Sequence, residues 1–111
     1  MAYDEDMAAR VRDILAPERG LSEKRMFGGL AFLLDGHMAV AVSGQGGLLL
    51  RVDPGRSDEW VAADHVSRMV MRGREMDGWL RVDPAAVDTE ERLTAWVSRG
   101  VAYVRTLPPK A

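Results

Sequence analysis

With 111 residues, 15 Lys and Arg against 17 Asp and Glu, and a formal charge of −2, the chain reads as one acidic domain, long enough to bury a core without covalent or metal staples. The absence of cysteine excludes a disulfide framework and thiolate metal sites and fits a reducing compartment. A pI near 5.6 gives no global drive toward nucleic acid or anionic membrane. The acidic N-terminus Tyr3-Asp4-Glu5-Asp6 is unlike a signal peptide, and no apolar run reaches the roughly 18 residues of a membrane span, so a soluble cytoplasmic protein is expected.

The first element is a helix over Asp4 to Ala16. Met7, Val11, Ile14 and Leu15 recur on one stripe, Asp4 can cap it, and Pro17 and Gly20 stop it. A first strand follows at about Lys24 to Phe27, and Gly28-Gly29 marks a bend or bulge. Leu30, Phe32 and Leu34 alternate with Ala31, Leu33 and Asp35. Beyond the turn, Met38, Val40 and Val42 alternate with Ala39, Ala41 and Ser43. Each run offers a large-residue face and a small-residue face. Asp35-Gly36 between them is the signature of a type I′ hairpin. The large face is expected under helices; the small face is still apolar and is expected to be covered in part.

Ser43 to Gly47 is a loose turn. Leu48 to Val52, almost continuously apolar, reads as a central strand. Asp53-Pro54-Gly55 ends it, and Ser57 or Asp58 caps a short helix, roughly Asp58 to Asp64, that offers Trp60, Val61 and Ala63 to the core. Val66 to Met71 is a strand, Gly73 to Asp77 a polar turn, and Trp79 to Val82 the strand that pairs back. The last helix starts at Asp88-Thr89-Glu90-Glu91, with Asp88 read as the cap of a capping box. Leu93, Trp96, Val97, Val101 and Val104 form its stripe. Gly100 lies on the same side, where it costs about 1 kcal/mol relative to alanine unless it admits a close neighbour. Residues 107–111 read as a mobile tail.

The pattern predicts an α+β fold: an antiparallel sheet of five to six strands built from meander hairpins, with an N-terminal helix, a short middle helix and a C-terminal helix. Arg51-Val52-Asp53-Pro54 and Arg81-Val82-Asp83-Pro84 repeat one tetrapeptide, each at a strand end. Two solutions to one strand-to-helix turn explain it better than a duplicated Arg site, because the flanks do not match.

Chemistry is sparse. Gly28-Gly29 lies between two strands, so it is not the strand-to-helix loop that cradles phosphate. His37 falls in a turn and His65 beside Asp64; with no nominated nucleophile, solvated surface histidines are the plainer reading. Two histidines without cysteine make no zinc site. Lys24, Arg25, Arg51, Arg68, Arg72, Arg74 and Arg81 form a candidate basic patch, and Phe27 or Trp79 beside them would suit stacked bases. The interspersed acids Asp53, Asp58, Glu59, Asp64, Glu75, Asp77 and Asp83 favour solvated strand faces instead. Trp60 and Trp96 fit helix-to-sheet packing, and the seven methionines fit core filling before an adaptable surface. The candidate binding residues are Lys24, Arg25, Phe27, Gly28, Gly29, Arg51 and Arg72. No catalytic residue, cofactor or metal ligand is nominated.

The element Lys24-Arg25-Met26-Phe27-Gly28-Gly29, the hairpin through Asp35-Gly36, the Met38 strand and Leu48-Leu49-Leu50-Arg51-Val52-Asp53 together resemble the N-terminal domain of the TfoX/Sxy family, named for regulators of natural competence in bacteria. The likeness continues through the Met69 strand and Trp79 into the closing helix and covers most of the chain. The resemblance implies an antiparallel sheet flanked by helices, a homodimer and a competence-regulator-like role, with no established catalytic residues. The named regulators carry a second, helical domain, and the chain here stops soon after the first, so a stand-alone homologue is expected. The leading expectation is a cytoplasmic regulatory domain that acts through protein contacts. The alternative is a nucleic-acid-binding module centred on Lys24 and Arg25, and a small enzyme is the least supported.

Overall fold

The computed structural model describes residues 3–26, 28–62 and 64–108, Met71 by its backbone. Helix α1 spans Glu5–Leu15. The Asp4 carboxylate caps it, accepting from the Asp6 and Met7 N–H groups at 3.0 and 3.1 Å, and Met7, Ala8, Val11 and Leu15 are buried. Strand β1, Leu21–Met26, pairs antiparallel with β2, Gly29–Leu34. It begins before the expected Lys24, and Phe27 lies outside the described residues. Strand β3, His37–Val42, follows a turn in which Asp35 and Gly36 have φ of 51° and 87°, the positive pair a type I′ turn requires.

Strand β4, Leu48–Arg51, leads into α2, Ser57–Val61, then β5, Val66–Met71, β6, Arg74–Val82, and α3, Glu90–Val104. One six-stranded sheet results, in the order β1-β2-β3-β4-β6-β5, with every neighbouring pair antiparallel. The sheet departs from a plain meander at one point: β6, not β5, lies beside β4. Burial explains the choice. Gly78, Leu80 and Val82 of β6 are buried, whereas Val70 of β5 is 60% exposed, so β5 takes the edge.

Three expected boundaries move. The polar turn at Gly73 to Asp77 is instead a tight turn at Arg72-Gly73, both with positive φ, and β6 starts at Arg74. The middle helix is shorter and earlier than Asp58 to Asp64, because a 3-10 turn over Pro54–Arg56 runs directly into it. Ser57 is therefore inside the first turn and caps nothing; its buried hydroxyl accepts from the Gly78 N–H at 2.7 Å. Ala63 lies outside the described residues. At α3 the cap is Thr89, not Asp88: the Thr89 hydroxyl accepts from the Arg92 N–H at 3.1 Å, and Asp88 pairs with the Arg92 side chain.

The repeated tetrapeptide makes the same corner twice. Asp53 accepts from the Gly55 N–H at 2.9 Å and Asp83 from the Ala85 N–H at 3.1 Å. Each is followed by a proline-led 3-10 turn, and each buries its valine.

The helices lie on one face. Leu30, Phe32, Val40, Val42, Leu48, Leu50, Leu80 and Val82 share a core with Met7, Val11 and Leu15 of α1 and Leu93, Trp96 and Val97 of α3. Trp60 of α2 meets Trp96 edge to face, centroids 6.2 Å apart. Gly100 brings α3 onto the sheet: a Cβ there would stand 2.7 Å from the Ala39 carbonyl oxygen and 2.8 Å from Leu50 Cδ1.

Candidate interaction surface

Strand alternation that sends Leu30, Phe32 and Leu34 toward the helices sends Ala31 and Leu33 the other way. On that second face Ala31, Met38, Ala41 and Leu49 form their own cluster, with Met26, Leu33, Met69 and Trp79 packed against it. Every member comes from a strand; among the described residues no helix joins it. The expected partial cover comes from neighbouring long side chains, which leave Ala31 fully buried and Met38 8% and Leu49 7% exposed. The methionines divide accordingly: Met7 fills the helix-side core, while Met26, Met38 and Met69 gather on the open face.

The charge on this face has one sign. Lys24 lies opposite Ala31, Ala31 opposite Ala41, Ala41 opposite Leu49, and Leu49 opposite Arg81, so one row runs from a cation on β1 to a cation on β6, with Ser67 of β5 beyond it. Arg51 lies opposite Trp79, its guanidinium 5.2 Å from the indole centroid and 5.7 Å from the ring of Tyr103. Arg81 donates to Ser43 Oγ at 3.3 Å and to the Gln45 and Gly46 carbonyls at 3.3 and 3.1 Å, holding the β3–β4 turn with uncharged acceptors. The strand carboxylates are on the helix side: Glu23 reaches Arg12 of α1, and Asp77 reaches Arg68, which also pairs with Asp58 of α2. Glu75, two residues from Asp77 on β6, shares its face.

The candidate binding residues do not form one patch. Lys24 is on the open face, whereas Arg25, next to it on β1, points to the helix side. Gly28 turns with φ 73°, and at Gly29 a Cβ would collide with the Val42 carbonyl, so both glycines are accounted for by the β1–β2 corner. Arg51 joins Lys24 on the open face. Arg72 sits in the β5–β6 turn at the opposite side of the sheet, and Phe27 lies outside the described residues. Sequence reasoning set aside the partner that completes the row, Arg81; its signal was its place two residues after Trp79 in an alternating strand.

The histidines do not make a catalytic pair. His65, with φ 67°, is exposed, and its carbonyl accepts from the Asp83 N–H. His37 is not a solvated surface residue: Nε2 is 2.6 Å from the Pro108 carbonyl, and Nδ1 is buried without a partner. Among the described residues no group of three His, Asp or Glu side chains is arranged to hold a metal, and no helix is long and apolar enough to cross a membrane. A groove beside α2 holds Arg99 against Trp60 and Trp96, at 4.5 and 4.2 Å from the ring centroids. Its acid, Asp53, is already engaged with the Gly55 N–H, and its second arginine, Arg56, with Glu59.

A sheet that buries one face under helices and carries on the other an apolar, cation-bearing cluster with no helix over it among the described residues defines an α+β protein. The model of the TfoX N-terminal domain matches residues 13–103, and the chain belongs to that family. No curated protein and no solved structure matches it.

Proposed function

We propose that this protein is a competence-regulator-like domain of the bacterial cytoplasm that acts by holding other protein chains and not by transforming a substrate. The observation that carries this reading is the uncovered face: an apolar cluster of strand side chains with no helix above it among the described residues. Its inner members are buried and its rim, Met26, Leu33, Met69 and Trp79, is partly exposed, and an apolar patch with a polar rim is where a soluble protein takes a partner.

Self-association belongs to the same reading and is assigned to the β5 edge. The other edge, β1, presents Ser22, Glu23, Lys24 and Arg25 exposed, a charged run of the kind that blocks strand addition. On β5, Val70 is the large apolar side chain left 60% exposed. Two β5 strands paired about a two-fold axis would continue the sheet from one copy to the next. Light scattering over a dilution series is expected to show a dimer persisting to low micromolar concentration, and Val70→Lys to release a folded monomer whose melting temperature no longer depends on protein concentration. A wild-type monomer throughout the series removes self-pairing from the proposal.

A nucleic-acid-binding role is the second reading. Its support is that Lys24, Arg51 and Arg81 share the open face with Trp79.

A further inference from the structure

We infer that the open face is a docking site for an acidic amphipathic helix of a partner protein, lying across the strands with its apolar side down. This rests on the reading of the protein as an interaction domain and specifies what the open face takes.

The first argument is charge. In a chain whose carboxylates outnumber its Lys and Arg, 17 to 15, the strand positions of this face carry Lys24, Arg51, Arg74 and Arg81 and no acid. Four arginines on the helix side are matched internally, Arg10 with Glu90, Arg12 with Glu23, Arg68 with Asp58 and Asp77, Arg105 with Glu18 and Asp35, while Arg25 and Arg99 are not, so that side carries both signs of charge. Among the described residues none of the four open-face cations has a carboxylate partner. A binding surface with one sign of charge selects the opposite sign and rejects its own. A second copy of the same face would set four cations against four.

The second argument is shape. The row from Lys24 through Ala31, Ala41 and Leu49 to Arg81 crosses β1, β2, β3, β4 and β6. Four inter-strand steps span about 19 Å, the length of a helix of about 13 residues. The two alanines keep the row low, and Leu33, Met38 and Trp79 stand beside it. Aliphatic and thioether side chains adapt to the Leu and Ile anchors of a helix laid in a groove. Nucleic acid is the weaker fit, because stacked bases need a series of aromatic platforms, and Trp79 is the aromatic that the described residues place in this cluster.

The test uses the whole chain and three fluorescein-labelled probes followed by anisotropy at low and moderate salt. One is a helical peptide of about 13 residues with Leu on one face and Glu on the other. The second replaces each Glu by Lys, and the third is a mixed-sequence single-stranded oligonucleotide. The acidic peptide is expected to bind saturably and about tenfold or more tighter than the basic one. Lys24→Glu is expected to weaken it about three- to tenfold. Arg92→Glu, the same charge change on an exposed position of α3, is expected to leave it unaltered. Equal affinity for the two peptides, or equal effects of the two variants, overturns the inference. Failure of every probe to bind while the dimer persists overturns it and leaves the interaction reading standing on self-association. Salt-steep binding of the oligonucleotide in preference to either peptide overturns both.

Discussion

A methyl group at Gly100 would meet the carbonyl oxygens of Ala39 and Arg51, at 2.7 and 3.3 Å, and Leu50 Cδ1 at 2.8 Å. Alanine is worth about 1 kcal/mol over glycine in a helix interior, but overpacking against backbone costs about 1–3 kcal/mol, and a carbonyl in a sheet ladder yields little. Gly100→Ala is therefore expected to lose up to about 2 kcal/mol, read as a lower urea midpoint at unchanged slope. A second residue with a definite sign is Glu23. Arg12 donates to both its oxygens, from Nε at 2.6 Å and Nη2 at 2.9 Å, and these hydrogen bonds hold the carboxyl below its ordinary value of 4.5. A carboxyl whose folded pKa is depressed adds stability above its unfolded pKa and loses it as pH falls through the folded one. The pair is about half to a third exposed, which limits the effect to under about 1 kcal/mol. Glu23→Gln is expected to flatten the acid limb of stability below the ordinary glutamate value, measured as urea midpoints from neutral pH down to about pH 3.

At the scale of elements, the cap of α3 separates two readings of one sequence. Asp88 followed by Glu91 looks like a capping box, yet the 3-10 turn over Pro84–Val87 carries Asp88 along in helical backbone, with φ −77° and ψ −11°, and the extended residue is Thr89. Thr89→Ala is expected to cost about 1 kcal/mol, and Asp88→Ala only the exposed pair with Arg92, about 0.3–0.5 kcal/mol, compared by thermal or urea unfolding. Most elements were legible because their periods were clean: β2 and β3 alternate, and the stripes of α1 and α3 repeat at helical spacing. The boundaries that moved lie where prolines start 3-10 turns or where positive φ fell on a non-glycine, Arg72. A side chain can take that conformation in a tight turn, but the sequence does not announce it.

For the molecule as a whole, the sequence disclosed that both sheet faces were apolar but not which would stay bare, because that depends on where α1 and α3 return in space. The open-face row was illegible for the same reason. Lys24, Arg51 and Arg81 are far apart in the chain, and only the registers bring them into one surface, while Arg25 and Arg72, equally basic, are carried elsewhere. An acidic overall charge thus coexists with a cationic face, since the carboxylates are drawn to helix caps and helix-side ion pairs.

The position of β6 between β4 and β5 also sets an order of assembly. As the chain leaves the ribosome, β1 to β4 can pair as successive hairpins, each with the neighbour just made. The far edge of β4, Leu48-Leu49-Leu50, has no partner until β6 has been synthesised and has folded back past α2 and β5. During that interval three consecutive leucines stand on an unpaired edge, the kind of segment that templates aggregation. A nascent chain stalled between Arg51 and Trp79 would expose this hazard, and completion of β6 removes it by filling the edge from within the same molecule.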